Sequence, residues 1–206
     1  MKYLFFVLSF FSTTLLSSQN MLNHEILSRR QLDSLKVELE LIFKKDQTFR
    51  RIHIQASEAL GDDSFELEYF WEVVETQDKV LEKQVIEIID EYGWLGISQV
   101  GRRANTALWA VLQHGSLESK EKYAPLLKES VLKNESQGLH YARLIDRMLV
   151  NQNKPQLYGT QINYDSESPV FFDIREPKFV DKRREEIGLN AIKEYAASRG
   201  VVWKIV

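Results

Sequence analysis

The 206-residue chain contains no cysteine, which excludes disulfides, thiolate metal sites and a lipoprotein anchor together. Histidine is scarce too. His24, His53, His114 and His140 show no HxH or HxxxH spacing, so the supply of metal donors is thin. A mononuclear site from His114 with Asp46 or Asp146 is chemically open, but no metal ligand is assigned. GxSxG, Walker and GxGxxG patterns are missing, and with them the common hydrolase, nucleotide and dinucleotide signatures. Thr160 and the serines have no base beside them, so a nucleophilic triad has no support. No cofactor can be named. Strong positive charge is also lacking: the net charge is -3, which argues against a nucleic-acid partner or general attraction to anionic membranes.

What is present is ordinary globular material, 44% hydrophobic and 28% charged, enough for a single domain with a real core. The first 18 residues, MKYLFFVLSFFSTTLLSS, read as a secretory signal peptide. Lys2 is the positive n-region, Tyr3 to Leu16 form a short apolar stretch, and Ser17 and Ser18 are small residues suited to cleavage. The run is shorter than the ~20 residues of a spanning helix, so no stable membrane span is expected after cleavage. Removing residues 1–18 takes away one Lys and no acid, shifting the balance from -3 to -4. The expectation is a periplasmic or secreted protein whose residues 19–206 form one domain.

Helical periodicity dominates that domain. Ile26, Leu32, Leu35, Leu39, Ile42 and Phe43 mark a helix over about 22–49, closed by Asp46-Gln47-Thr48-Phe49-Arg50. Gly61-Asp62-Asp63-Ser64 is a loop ending in an N-cap. The next helical run breaks or kinks near Thr76, then continues through Leu81, Val85, Ile88, Ile89 and Tyr92 to a left-handed cap at Gly93. Further helices are predicted at roughly 99–114, 118–134 and 139–151, punctuated by Gly115 and Gly138, with Pro125 disturbing or starting part of the second. The texture changes after Asn151: Tyr158–Tyr164 and Pro169–Ile174 read as two short strands around a polar turn. Asp181 is suited to cap one late helix and Asn190 another, and Val201 to Val206 could dock as a last strand. The fold class is mainly α (α+β), a helical domain of five to seven helices with one small β-hairpin near residues 157–174.

Several polar residues fall where apolar ones are expected. In projection, Asp146 lies inside the arc set by Leu139, Ala142, Ile145 and Leu149. A buried carboxylate costs several kcal/mol unless it is paired, so Asp146 needs a partner: Arg50, Arg147, Arg184 or an amide of residues 156–161. It either pins that loop to the helices or serves a ligand. His114 sits at the border of the Ala104, Ala107, Leu108 and Val111 stripe, where a C-terminal helix dipole favours its protonated form; a border histidine and a functional one are both open. Gln113 projects to the opposite, polar side. Asp46 and Arg50 can pair along their helix for a few tenths of a kcal/mol, or Gln47 and Arg50 can reach an anion or an acidic side chain. Lys154 to Gln161, KPQLYGTQ, has little to bury and much to hydrogen-bond with, and Gly159 lets backbone amides approach a ligand.

Taken in order, Asp46-Gln47-x-x-Arg50, Tyr92-Gly93-Trp94, Val100-Gly101, Gln113-His114, Asp146-Arg147, Pro155-Gln156-x-Tyr158-Gly159-Thr160-Gln161 and Arg183-Arg184-x-x-x-Gly188-Leu189 resemble the bacterial family called domain of unknown function 6624. The resemblance runs from about Gln31 to Tyr195, with YGTQ and QH its most specific parts. It implies a shared fold and groups the same polar residues, but supplies no reaction. The leading expectation is an enzyme or small-ligand binder with a polar pocket. In an enzymatic version His114 would be its proton-transfer residue, and Asp146 would orient it or a ligand. Asp46, Gln47, Arg50, Gln113, Arg147, Gln156, Tyr158, Gly159, Thr160, Gln161 and Arg184 would bind the ligand. The rival is a non-catalytic interaction module of the cell envelope, with a protein partner and a purely structural polar network.

Overall fold

The computed structural model describes residues 27–166 and 168–204; the expected signal peptide lies outside them. Chain order among the described residues is α1 (Arg29–Leu60), α2 (Phe65–Tyr92), α3 (Ile97–Val100), α4 (Arg102–His114), α5 (Leu117–Leu132), α6 (Gly138–Asn151), β1 (Ile162–Asn163), β2 (Val170–Phe171), a 3-10 turn at Pro177–Phe179, α7 (Val180–Glu185) and α8 (Ile192–Ser198). The mainly helical class is as expected, with eight helices rather than five to seven.

Ser28 starts α1 with a capping box: its hydroxyl accepts the Gln31 amide at 3.3 Å, and the Gln31 side chain accepts the Ser28 amide at 2.9 Å. Leu35, Leu39, Ile42 and Asp46 form its buried face at helical spacing, and none of residues 47–60 is buried. The helix nevertheless runs on to Leu60, so the Asp46–Arg50 element lies mid-helix and does not close it. The sequence reading stopped where the buried face stopped. Past that point α1 leans on α2 instead, through Phe49 against Phe70 (ring centroids 5.7 Å apart) and His53 against Trp71 (4.4 Å). The second helix is also continuous through Thr76, whose hydroxyl bonds the Glu72 carbonyl at 2.9 Å without breaking it.

At the centre is α4, where three alanines with Asn105, Leu108, Val111 and Leu112 are buried nearly all round. Small residues allow it to pack most extensively against α1 while also touching α2, α5 and α6. Asn105 is satisfied by the Leu95 carbonyl at 2.8 Å and Ser136 Oγ at 2.9 Å. Pro125 sits within α5 without ending it. Ser116 caps α5, and the Glu82 carboxylate from α2 accepts its amide (2.7 Å), its hydroxyl (2.8 Å) and the Ser119 hydroxyl. Burial pushes Glu82 up, but these donors outweigh it and hold the carboxyl below its usual range.

The β-hairpin is smaller than expected: Ile162 pairs with Phe171 and Asn163 with Val170, and an isolated bridge joins Gln156 to Ile174. The rest of 156–174 spends its backbone groups on side chains. Asp181 lies inside α7 and accepts the Ile192 amide at 2.6 Å, so it serves the start of α8 instead of its own helix. Asn190 gives its carbonyl to Arg184, and Ala191 occupies the α8 cap. Residues 201–204 form no strand.

His140 stacks flat on Trp109 at 4.1 Å, joining α6 to α4. Burial, then the charges of Arg143 and Arg102, lower its pKa from 6.5 to about 4. The unfolded chain therefore binds a proton that the fold resists, so stability is full above 6.5 and is lost as pH falls toward about 4. At 1.36 kcal/mol per unit, the loss is about 3 kcal/mol. His140→Phe should keep the stack and flatten the urea-midpoint profile across that window; an unchanged profile would place the titration elsewhere.

Candidate functional site

Where α4 ends, its last residue turns toward α1. His114 Nδ1 lies 3.0 Å from Asp46 Oδ1, and Arg50 Nε donates to His114 Nε2 at 3.2 Å. A guanidinium N–H can only donate, so Nε2 presents its lone pair and the proton sits on Nδ1, donated to Asp46. Arg50 is engaged on every side. Its Nη1 donates to the Asp46 carbonyl at 2.8 Å and sits 3.2 Å from Asp46 Oδ1, while Nη2 meets Asp78 Oδ2 at 2.7 Å. Gln47 Nε2 donates to Asp46 Oδ2 at 2.7 Å. The acidic group that Gln47 and Arg50 reach is thus the chain's own. Burial pushes the Asp46 carboxyl up, but the hydrogen bond and charge of His114, then Arg50 and Gln47, hold it below its ordinary 3.8.

Gln113 is 95% buried and faces α6, not the polar side expected from projection. Its amide nitrogen lies 3.5 Å from the Arg143 carbonyl, and its Oε1 has no partner among the described residues. Beside it, Arg143 and Arg147 stand one turn apart on α6. Neither is within ion-pairing distance of an acidic group among the described residues. Desolvation first, then the charges of Arg143 and Arg50, lower the pKa of Arg147. Lys120 is lowered by burial and then by Arg147, against the opposing pull of Glu82. Cations from α1, α5 and α6 therefore converge on Arg147.

On the other side of α6, Asp146 is fully buried and accepts the amides of Leu157 (2.8 Å), Tyr158 (3.0 Å) and Thr160 (2.9 Å), plus the Thr160 hydroxyl (2.9 Å). Of its four possible partners, the loop amides are the ones in contact. Burial raises its pKa, and the four donors offset that only in part. Gln156, also fully buried, accepts the Thr160 and Gln161 amides (2.8 and 2.9 Å) and donates to the Gln161 and Phe172 carbonyls (2.9 and 2.8 Å). Arg184, again with no exposure, donates to the Tyr158 and Asn190 carbonyls, both at 2.7 Å, over the Tyr195 ring. Gly159 takes φ +70° with no room for a Cβ beside Ile192 and Ile174.

The sequence-predicted residues thus fall into two groups on different flanks of α6, and no hydrogen bond among the described residues links them. Asp46, Gln47, Arg50 and His114 form one cluster, with Gln113 and Arg147 at its border. Asp146, Gln156, Tyr158, Gly159, Thr160 and Arg184 form the other, with Gln161 at its edge, where Nε2 lies 3.3 Å from Thr160 Oγ1. Asp146 and His114 do not touch. Asp78, Lys120 and Arg143 escaped the sequence reading. Arg143 and Arg147 had a legible signal, like charges at i,i+4 whose one intervening acid, Asp146, falls on the apolar arc; Asp78 had none, because its role depends on how α2 aligns with α1.

Two substitutions separate these clusters. Asp146→Asn sets an NH2 against loop donors and should cost about 3 kcal/mol in urea unfolding. A cost under about 0.5 kcal/mol would show that the loop does not hang on this carboxylate. Asp46 acts in the acid range. Its folded pKa is below 3.8, so its contribution is present above 3.8 and lost as pH falls below it. Asp46→Asn should lower stability at neutral pH by on the order of 1–3 kcal/mol and make the acid limb shallower.

No curated protein and no solved structure matches this chain. The model of the family described as "Family of unknown function (DUF6624)" matches residues 33–200, a span that includes both clusters. The chain belongs to that family.

Proposed function

We propose that this domain binds a small anionic ligand bearing a carboxylate or phosphate, in the periplasm or outside the cell. The supporting observation is the convergence on Arg147. The charges of Arg143, Arg50 and Lys120 bear on it, and no carboxylate lies within ion-pairing distance of Arg143 or Arg147 among the described residues. Like charges held together oppose one another, and an anion is what relieves them. Planar guanidinium groups also match carboxylate and phosphate oxygens bidentately. The extracellular placement rests on the signal-like character of residues 1–18.

Within this reading, Arg147 and Arg143 contact the ligand. His114 orients Arg50 by accepting from its Nε, and Asp46 fixes the His114 tautomer. As a proton-transfer group His114 would first have to release Arg50, because Nε2 is occupied. The geometry therefore favours binding over general-base catalysis. The second reading, a cell-envelope interaction module with a structural polar network, draws support from the other flank of α6. There Asp146, Gln156 and two guanidinium nitrogens of Arg184 bond only to the chain itself.

Thermal unfolding with inorganic phosphate and with citrate, each against chloride at matched ionic strength, tests the proposal. Saturation to 100 times Kd corresponds to about 2.7 kcal/mol, or several degrees in Tm for a domain of this size. Arg147→Ala and Arg143→Ala should each weaken binding about tenfold or more by calorimetry. If neither anion exceeds chloride, or Arg147→Ala binds like the parent, the site is wrongly placed.

A further inference from the structure

Among the described residues, the α1–α2 hairpin leaves a large apolar surface uncovered. On α1, Val37 (69% exposed), Leu41 and Ile52 recur with Lys45 and Thr48 at a 4-4-3-4 spacing; on α2, Phe65 (78% exposed), Tyr69, Val73 and Val80 recur with Thr76 at the same spacing. Each set occupies one helical stripe, turned away from the buried stripes Leu35-Leu39-Ile42 and Val74-Leu81-Val85. The two helices are in register through Gln77 Nε2 on the Lys45 carbonyl (3.0 Å) and His53 against Trp71. Leu41 therefore stands level with Val80, and Ile52 with Tyr69. A shallow cleft lined by Lys45, Tyr69, Val73, Thr76 and Val80 runs between them on this outer face. Spanning sixteen residues on each helix, the surface is about 23 Å long, a continuous patch of a kind that monomers rarely expose.

Charge identifies the occupant. Exposed Lys44, Lys45 and Arg51 lie on α1, where the one acid between them, Asp46, is buried. Alongside at the same height, α2 carries exposed Glu66, Glu68, Glu72 and Glu75, with no Lys or Arg from Phe65 to Asp78. A two-fold axis parallel to the hairpin lays α1 of one copy over α2 of the other, with basic on acidic and the apolar stripes face to face. An axis across the middle of the patch would instead set Lys44 and Lys45 of one copy on those of the other. We propose that the protein is a homodimer built on this face, its two hairpins side by side with tips pointing the same way in a four-helix bundle.

Sedimentation velocity on the purified protein tests this. The expected species is a dimer of the 24.1 kDa chain or its processed form, and monomer throughout up to about 100 µM would overturn the proposal. Leu41→Glu and Tyr69→Glu alter exposed side chains, so circular dichroism should be unchanged while both sediment as monomers; a dimer indifferent to both would place the interface elsewhere. Glu72→Lys alone should weaken the dimer about tenfold or more, and combining it with Arg51→Glu should restore it. A dimer that Glu72→Lys leaves unaltered, or that the pair fails to rescue, would overturn the parallel arrangement.

Discussion

One carboxylate holds the last quarter of this protein to the rest. Residues 152–204 have two 2-residue strands, a 3-10 turn and two short helices, too little regular structure to satisfy their own backbone. Asp146 supplies acceptors from a helix that is itself fixed in the bundle, and the loop amides of Leu157, Tyr158 and Thr160, with the Thr160 hydroxyl, converge on it. Their carbonyl counterparts are met from the other side: Arg183 on Leu157 and Arg184 on Tyr158. The loop is thus strung between an anion that takes its N–H groups and cations that take its C=O groups. Gln156 does both at once. A segment rich in polar groups can be buried this way because almost every group has a partner inside the chain.

The same economy explains why the polar residues do not share one pocket. A helix places neighbouring residues 100° apart, so Asp146 and Arg147 serve different flanks of α6, and Gln113 and His114 different neighbours of α4. Gln113 goes to α6 and His114 to α1. The Asp46, Arg50 and Asp78 network ties α1 to α2 and, through His114, to α4. The cations left without a counter-charge among the described residues, Arg143 and Arg147, lie just beyond it.

Much of this was legible in the sequence. The stripe from Leu81 to Ile89, the glycines at 93 and 115, and a carboxylate out of place at 146 each follow from local periodicity, and each lies where that periodicity puts it. The misplaced boundaries have a common cause. Past Asp46, α1 has no buried face of its own, so nothing in its pattern announces about four further turns of helix. Near Thr76 the polar residues that suggested a break face solvent or the neighbouring helix. The buried Gln113 and the partners Asp78 and Lys120 depend on how separate helices meet, and no single-helix projection contains that.

The second half of α1 is unusual in being helix without a core beneath it. Fourteen residues, about 21 Å at 1.5 Å per residue, project past the last buried side chain at Asp46 and return through Phe65 and its successors. The hairpin is therefore a lever, and its fulcrum joins the buried Val74 and Leu81 of α2 to polar ties. Where the overhang meets the body, the cross-helix ties are Arg50 to Asp78 and Gln77 to the Lys45 carbonyl. Any sideways load on the tip reaches the body first at the guanidinium that His114 also holds.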